Sequence, residues 1–307
     1  MEHKYFGTAH LSKQETEHMS TVTLLERALR PLANSVGLDE TALAKAVDRD
    51  ISRRVARAAF DQLESEGIRV DSSRVLDLGA GLGHASVEAV NRGCDLIAIE
   101  PGVEWCNIVA HRLASLGKGV AIVGDGERLP FADNTFDLVI SIGVLEHVRR
   151  PNVYLREAYR VLKPGGSMFL SCENYLSFWE PHYQLAWLPL FPKRIASIYL
   201  RLRGKSSSFL MSSITYTTRP GVNRSLRAMG FQFKREMNLR KKLDSFLESD
   251  SKFSRISTWG FKAFAKSSLA RVFFEIENCR KTFTPYFSTI VQKPALPGTR
   301  ETSKAIE

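Results

Sequence analysis

VLDLGAGLGHAS, residues 75–86, joins a short apolar run to a segment of helical composition through three glycines in five positions. Gly79, Gly81 and Gly83 let the backbone turn tightly and approach a ligand where a Cβ would collide. The helix that follows presents free N–H groups and a positive dipole end, which suit a carboxylate or a phosphate. The spacing is GxGxG, and His84 stands where a dinucleotide fingerprint GxGxxG would place its third glycine. Asp77 lies at the end of the run, where its carboxylate can accept from an ammonium group or from the loop.

Short apolar runs continue on both sides of this turn. RVLDLG, DLIAIE, VAIVGD, FDLVISIG and GSMFLSC alternate with helix-length segments, and FQFKREM and TPYFSTIVQK supply two further strands. Strands without polar alternation are buried on both faces, so the expected fold is α/β, a seven-stranded mostly parallel sheet with helices on both faces. KPGG before the fifth strand reads as a turn. Upstream, STVTLLERALRPLA and ISRRVARAAFDQLESEG have apolar positions three and four apart, the pattern of a helical cap.

The chain has 307 residues, a formal net charge of +10 and only four cysteines, Cys94, Cys106, Cys172 and Cys279, without CxxC pairing. A disulfide framework and a thiolate metal site are therefore not expected, and a reducing compartment fits best. The polar N-terminus has no apolar signal core, and nowhere do eighteen apolar residues run together, so a cytoplasmic location is expected. The positive charge is local. Residues 190–245 hold 13 Lys or Arg against only Glu236 and Asp244. Such an excess attracts anions, whether a phosphorylated small molecule, a glycan intermediate, a lipid surface or nucleic acid.

Glu100 ends DLIAIE at the carboxyl edge of the sheet, where ligands of open α/β folds bind, and its two oxygens suit a ribose diol. Asp125 is read as the end of the third strand. Beside the backbone of Gly126 and Glu127, it suits an adenine amino group. Three acids at three successive strand ends after a glycine turn point to one nucleoside cradle.

These residues resemble class I S-adenosylmethionine-dependent methyltransferases. VLDLGAGLGHAS is similar to their first motif, Glu100 to their ribose-binding acid, and GDGERLPFADNTFDLVISIGVLEHV to their adenine loop and fourth strand. The resemblance covers roughly residues 70–172. It implies S-adenosylmethionine as cofactor and a facing set of Asp77, Gly79, Ala80, Gly81, Gly83, Glu100, Pro101, Asp125, Gly126, Glu127, Ser141 and Ile142. It also implies a division into a helical cap over residues 1–70 and a methyltransferase domain over 71–307. Within that domain, 174–218 is expected to form an acceptor-binding lid and 240–275 a helical insertion.

An alcohol acceptor needs a base to take its proton as the new bond forms. His147 in LEHV and His182 in FWEPHYQLAWLP are the candidates, with Trp179, Tyr183 and Trp187 as pocket wall or as core of the insertion. Glu173, His182 and a further acid could ligate a divalent ion, but no ligand spacing supports one and no metal is expected. Lys193, Arg194, Arg201, Arg203 and Lys205 could clamp an anion or lie on an anionic membrane. The expected reaction is O-methylation of a small, glycan or lipid-linked, anionic acceptor. A nucleic-acid methyltransferase lacks support, because no D/N-PP-Y/F tetrapeptide or Pro-Cys motif is present. A non-catalytic binding protein of the same fold is the remaining alternative.

Overall fold

The computed structural model describes Arg30, residues 50–236 and residues 283–295. Apart from Arg30, the helices expected in STVTLLERALRPLA and in 240–275 fall outside the described residues. Seven strands form one sheet: β1 (Arg74–Leu78), β2 (Asp95–Glu100), β3 (Val120–Val123), β4 (Phe136–Ile142), β5 (Leu162–Glu173), β8 (Gln232–Glu236) and β9 (Tyr286–Gln292). Their order is β3-β2-β1-β4-β5-β9-β8. Strands β1 to β5 pair in parallel, and β9 runs antiparallel to both β5 and β8.

Both faces of the sheet are buried, as unalternated strands require. Leu76 and Leu78 of β1 and Val139 of β4 join one apolar cluster with Tyr154, Leu155 and Ala158 of helix α4 (Pro151–Val161) and Leu226 of helix α7 (Arg219–Ala228). Val75, Leu138 and Ile140 face the opposite cluster. There they meet Phe60 of α1 (Asp50–Ser65), Ala89 of α2 (His84–Asn91) and Val109 of α3 (Val103–Leu116). Helix α1 is thus the described part of the N-terminal cap, packed on the α2 side.

Two local readings need correction. KPGG does not precede β5 but lies inside it: Phe136 pairs with Leu162 and Leu138 with Ser167, so Lys163 to Gly166 bulge out of the ladder. A Cβ on Gly166 would sit 2.9 Å from the Lys163 carbonyl oxygen, so this bulge needs glycine. In addition, β3 stops at Val123, two residues short of Asp125. Asp125 therefore sits on the following loop, where its Oδ1 accepts from the Glu127 N–H at 2.8 Å. That bond closes an Asx turn.

Helix α4 is tied to the sheet by a buried polar pair. The Tyr154 hydroxyl donates to the Leu78 carbonyl at 2.9 Å and lies 2.7 Å from Ser141 Oγ. Gly126 rests on the same ring, since a Cβ there would come within 2.6 Å of Tyr154 Cε2. Tyr154→Phe is expected to cost ~1–2 kcal/mol through these unmade buried bonds. Denaturant unfolding would read it as a lowered midpoint at unchanged slope, and an unchanged midpoint would show that the pair contributes nothing net.

Beyond β5 the chain leaves the sheet. A two-stranded hairpin, β6 (Trp179–Glu180) and β7 (Leu185–Ala186), is followed by α5 (Lys193–Leu202) and α6 (Ser208–Ser213). The segment has its own core of Tyr175, Tyr183, Trp187, Leu200, Phe209 and Leu210. Tyr183 and Trp187 thus lie in the core of this segment. Their burial decides the question of wall or core for both.

Candidate active site

The glycine turn is built by conformations that only glycine adopts easily. Gly79, Gly81 and Gly83 have φ of 81°, 52° and 75°. Their neighbours differ. A Cβ on Gly79 would lie 2.6 Å from Val144 Cγ1, and one on Gly83 would lie 3.2 Å from Val109 Cγ2, whereas one on Gly81 would meet nothing within 4 Å. Gly79 thus admits the segment after β4, Gly83 admits α3, and Gly81 faces open space. Backbone bonds from Gly79 and Ala80 to the Ile99 carbonyl hold the turn against β2.

Glu100 closes the turn from the neighbouring strand. Its Oε2 accepts from the Gly81 N–H at 2.9 Å and its Oε1 from the Gly102 N–H at 3.1 Å. Each oxygen keeps a second lone pair for a ligand hydroxyl. Burial pushes the Glu100 carboxyl upward, against those two N–H donors. Asp77 is buried, accepts from Ser86 Oγ at 2.5 Å, and is pushed up to about 6 by burial and secondarily by the charge of Glu100. Two carboxylates thus stand close together, and the hydrogen bonds each accepts come from Ser86, Gly81 and Gly102 and from no Lys or Arg among the described residues. Such a site calls for a cationic ligand bearing hydroxyls.

The remaining residues expected to face the cofactor are placed unevenly. Asp125 is exposed on the loop beyond β3, with Gly126 and the buried Leu129 beside it. The Glu127 carboxylate is occupied, accepting from the Arg150 N–H and side chain at 2.9 and 2.6 Å. Ser141 is fully buried with its hydroxyl on Tyr154, while Ile142 is half-buried at the end of β4. Pro101 is exposed at the β2 edge.

The segment after β4 brings a second group of residues beside the first. Val144, packed on Gly79, leads into a 3₁₀ turn, Leu145–His147. Thirty-five residues later the β6–β7 hairpin returns His182 to the same place. The His147 and His182 rings lie 5.2 Å apart edge to face, and Phe209 of α6 contacts both, at 5.8 and 5.0 Å.

Their surroundings are opposite. His182 Nδ1 lies 3.2 Å from Glu173 Oε2 and 3.0 Å from Glu180 Oε1, and those acids also accept from the Tyr175 hydroxyl and the Tyr183 N–H. Burial works against an imidazolium here, yet Glu173 and Glu180 outweigh it and hold His182 protonated well above the usual histidine range. His147 has no carboxylate partner among the described residues. Its Nδ1 donates to the Ser213 carbonyl at 3.1 Å, which leaves the Nε2 lone pair available. Burial, then the charge of His182, push it down to about 4. Such a split separates a neutral acceptor of protons from a charged donor.

Glu146, Glu173, Tyr175 and Glu180 complete the group, and sequence reasoning gave none of them a part in acceptor chemistry. Glu146 and Glu180 stand beside the two histidines in LEH and WEPH, Glu173 was considered only as a metal ligand with His182, and Tyr175 carried no signal. Glu146 is 2% exposed, and its Oε2 has no hydrogen-bond partner among the described residues. Burial and then the charge of Glu173 push its carboxyl up to about 8, so it is protonated at neutral pH. Glu173, Glu180 and His182 offer atoms within 4.8 Å of one another, close enough for a cation. In this structure the three groups form a buried ion pair, with His182 between the two carboxylates.

The basic side chains stand elsewhere. Arg194, Arg201 and Arg203 are exposed on and beside α5, and Lys193 Nζ donates to the Ile214 carbonyl. No helix among the described residues is long and apolar enough to cross a membrane.

Comparison with known proteins agrees with this geometry. Residues 76–170 match the family model of a methyltransferase domain. The chain is 38% identical over 97 residues to an uncharacterized methyltransferase of Mycobacterium tuberculosis, covering 32% of this chain and 38% of that one. It is 34% identical over 128 residues to a demethylmenaquinone methyltransferase of Renibacterium salmoninarum, covering 41% and 51%. It is 31% identical over 180 residues to a malonyl-(acyl-carrier protein) O-methyltransferase of Marinomonas sp., covering 56% and 64%. The chain thus spans about a third to two thirds of the length of these relatives. Among solved structures, a phosphoethanolamine N-methyltransferase of Haemonchus contortus superposes with a TM-score of 0.53 at 16% identity, over 78% of this chain and 53% of that one. The cyclase SpnF does so with 0.50 at 17%, over 80% and 82%. At such identities the likeness is one of fold. The chain has the Rossmann-like fold of class I S-adenosylmethionine-dependent methyltransferases, and the match to a methyltransferase-domain model lies at residues 76–170.

Proposed function

We propose that the protein transfers a methyl group from S-adenosylmethionine to a hydroxyl of a small, glycan or lipid-linked acceptor, with His147 as the base. The observation that carries this reading is the His147–His182 ring pair, 5.2 Å apart, in which His182 meets two carboxylates and His147 only a backbone carbonyl. Asp77 would take the cofactor's ammonium group, Glu100 its ribose and Asp125 its adenine. The bound cofactor supplies a methyl group on a cationic sulfur, already electrophilic. The protein's part is to align the acceptor oxygen behind that methyl and to remove a proton. His147 Nε2 would take the proton that the acceptor hydroxyl loses on methylation. His182, held by Glu173 and Glu180, would donate a hydrogen bond that fixes the acceptor. The anionic part of the acceptor would lie outward, toward the exposed arginines of α5, because the inner wall carries Glu173 and Glu180.

The test is release of S-adenosylhomocysteine from the purified full chain against hydroxyl, amine and nucleic-acid acceptors. Product with hydroxyl acceptors supports the reading, and product only with amines or nucleic acid overturns it. The pH profile separates the two histidines. The neutral form of His147 is the active one, so kcat/KM is expected to fall as pH drops through about 4 and to be level at neutrality. If His182 were the base, activity would still be climbing above neutral pH, as its proton leaves.

A further inference from the structure

The outward face of α5 is apolar where a helix packed on a water-soluble domain is ordinarily polar. Ala196, Ser197 and Leu200 face the lid core, and Ile195, Ile198 and Leu202, at i, i+3 and i+7, point the other way. They are 55%, 55% and 81% exposed. Seven of the twelve large apolar side chains exposed among the described residues fall between residues 178 and 211, so the apolar exposure is concentrated in the lid. The loop entering α5 adds Leu188 and Leu190, and α6 adds Met211.

Charge says what this face meets. Between Glu180 and Glu236 the chain has ten Lys or Arg and no Asp or Glu. Arg194 and Arg201 are exposed on α5, to one side of the stripe at helical spacing, and Arg203 follows at its end. An apolar stripe flanked by arginines without acids matches the boundary of an anionic bilayer, where apolar side chains enter the acyl edge and cations stay among the headgroups. A second protein surface would have to bring a large acidic rim to the same place. A second copy of this chain would oppose the described basic lid to itself, which is unfavourable.

We propose that the α5 face formed by Ile195, Ile198 and Leu202 docks the protein onto anionic lipid membranes. The same lid carries His182, and its Phe209 touches both active-site histidines, so docking places the acceptor side of the site near the bilayer. The proposal does not depend on the reaction, because its test needs no acceptor.

The full chain would be sedimented with vesicles of phosphatidylglycerol and phosphatidylcholine, and with vesicles of phosphatidylcholine alone. Binding is expected to the mixed vesicles only, and to weaken as salt rises. The triple variant I195D/I198D/L202D is expected to bind at least tenfold more weakly, with unchanged circular dichroism and S-adenosylhomocysteine affinity. Arg194→Gln should cost about fivefold, as one headgroup-facing charge. Wild-type protein that ignores both vesicles overturns the proposal. So does a triple variant that is folded and binds as wild type. If the variant instead melts earlier or changes mass in light scattering while wild type ignores vesicles, the stripe is covered by this chain or by a second copy, and the proposal fails.

Discussion

Substitution of His147 by alanine is expected to lower turnover by about 10²–10⁴-fold, the usual contribution of a positioned base, with cofactor affinity changed by less than about twofold. The two readouts would separate because the proposed cofactor contacts are the glycine turn and Glu100, and His147 lies on the 3₁₀ turn after β4. His147 is also the cleaner test of the pair. Removing His182 would strand Glu173 and Glu180 as buried unpaired carboxylates, and breaking such a pair costs ~3–5 kcal/mol of stability. Loss of activity in His182→Ala would therefore mix chemistry with unfolding. His147→Gln, which keeps a side-chain amide near the Ser213 carbonyl, should be as inactive as His147→Ala. Retained turnover in either variant, measured as S-adenosylhomocysteine release, would remove His147 from the reaction.

The second large effect concerns Glu100. Glu100→Ala is expected to weaken S-adenosylhomocysteine binding by about 10–100-fold, the loss of one or two charge-assisted hydrogen bonds. The change also releases the N–H groups of Gly81 and Gly102, so the turn loses the clasp that joins it to β2. Glu100→Gln distinguishes charge from shape. One end of its amide must present N–H₂ to an N–H donor, so glutamine should bind little better than alanine. Calorimetry that finds either variant unchanged would take Glu100 off the ribose.

The glycine turn was legible because it is local. Gly79, Gly81 and Gly83 sit within five residues, and their positive φ values follow from the turn that joins β1 to α2. Asp77 and Glu100 end adjacent parallel strands, and the strand pattern alone brings them to one edge. Asp125 was legible only in part. A strand of four residues is too short for its end to be read from apolar letters, and the Asx turn at Asp125 looks like continued strand. KPGG failed as a strand boundary for a related reason. The ladder resumes after the bulge, which no residue preference records.

The acceptor half was only partly visible. Both histidines were identified, but their contact depends on a hairpin folding back over thirty-five residues, which no spacing rule specifies. The protonation of each is set by partners from other elements. Glu173 ends β5, Glu180 belongs to β6, and Ser213 ends α6. In the sequence two equal candidate bases are present, whereas in the folded chain one is a neutral acceptor and the other a fixed cation. The basic tract shows the same limit. Its charge was plain, yet its outward apolar stripe appears only when Ile195, Ile198 and Leu202 are sorted from Ala196 and Leu200 by burial.

The central claim is that one sheet edge, from Asp77 through Glu100 to the Asp125 loop, cradles S-adenosylmethionine with its methyl toward His147. A crystal structure with S-adenosylhomocysteine bound tests this directly. The account predicts Glu100 on the ribose hydroxyls, Asp125 on the adenine amino group, and the open side of the sulfur facing His147 and His182. A ligand whose sulfur turned away from both rings, or whose ribose left Glu100 uncontacted, would contradict it.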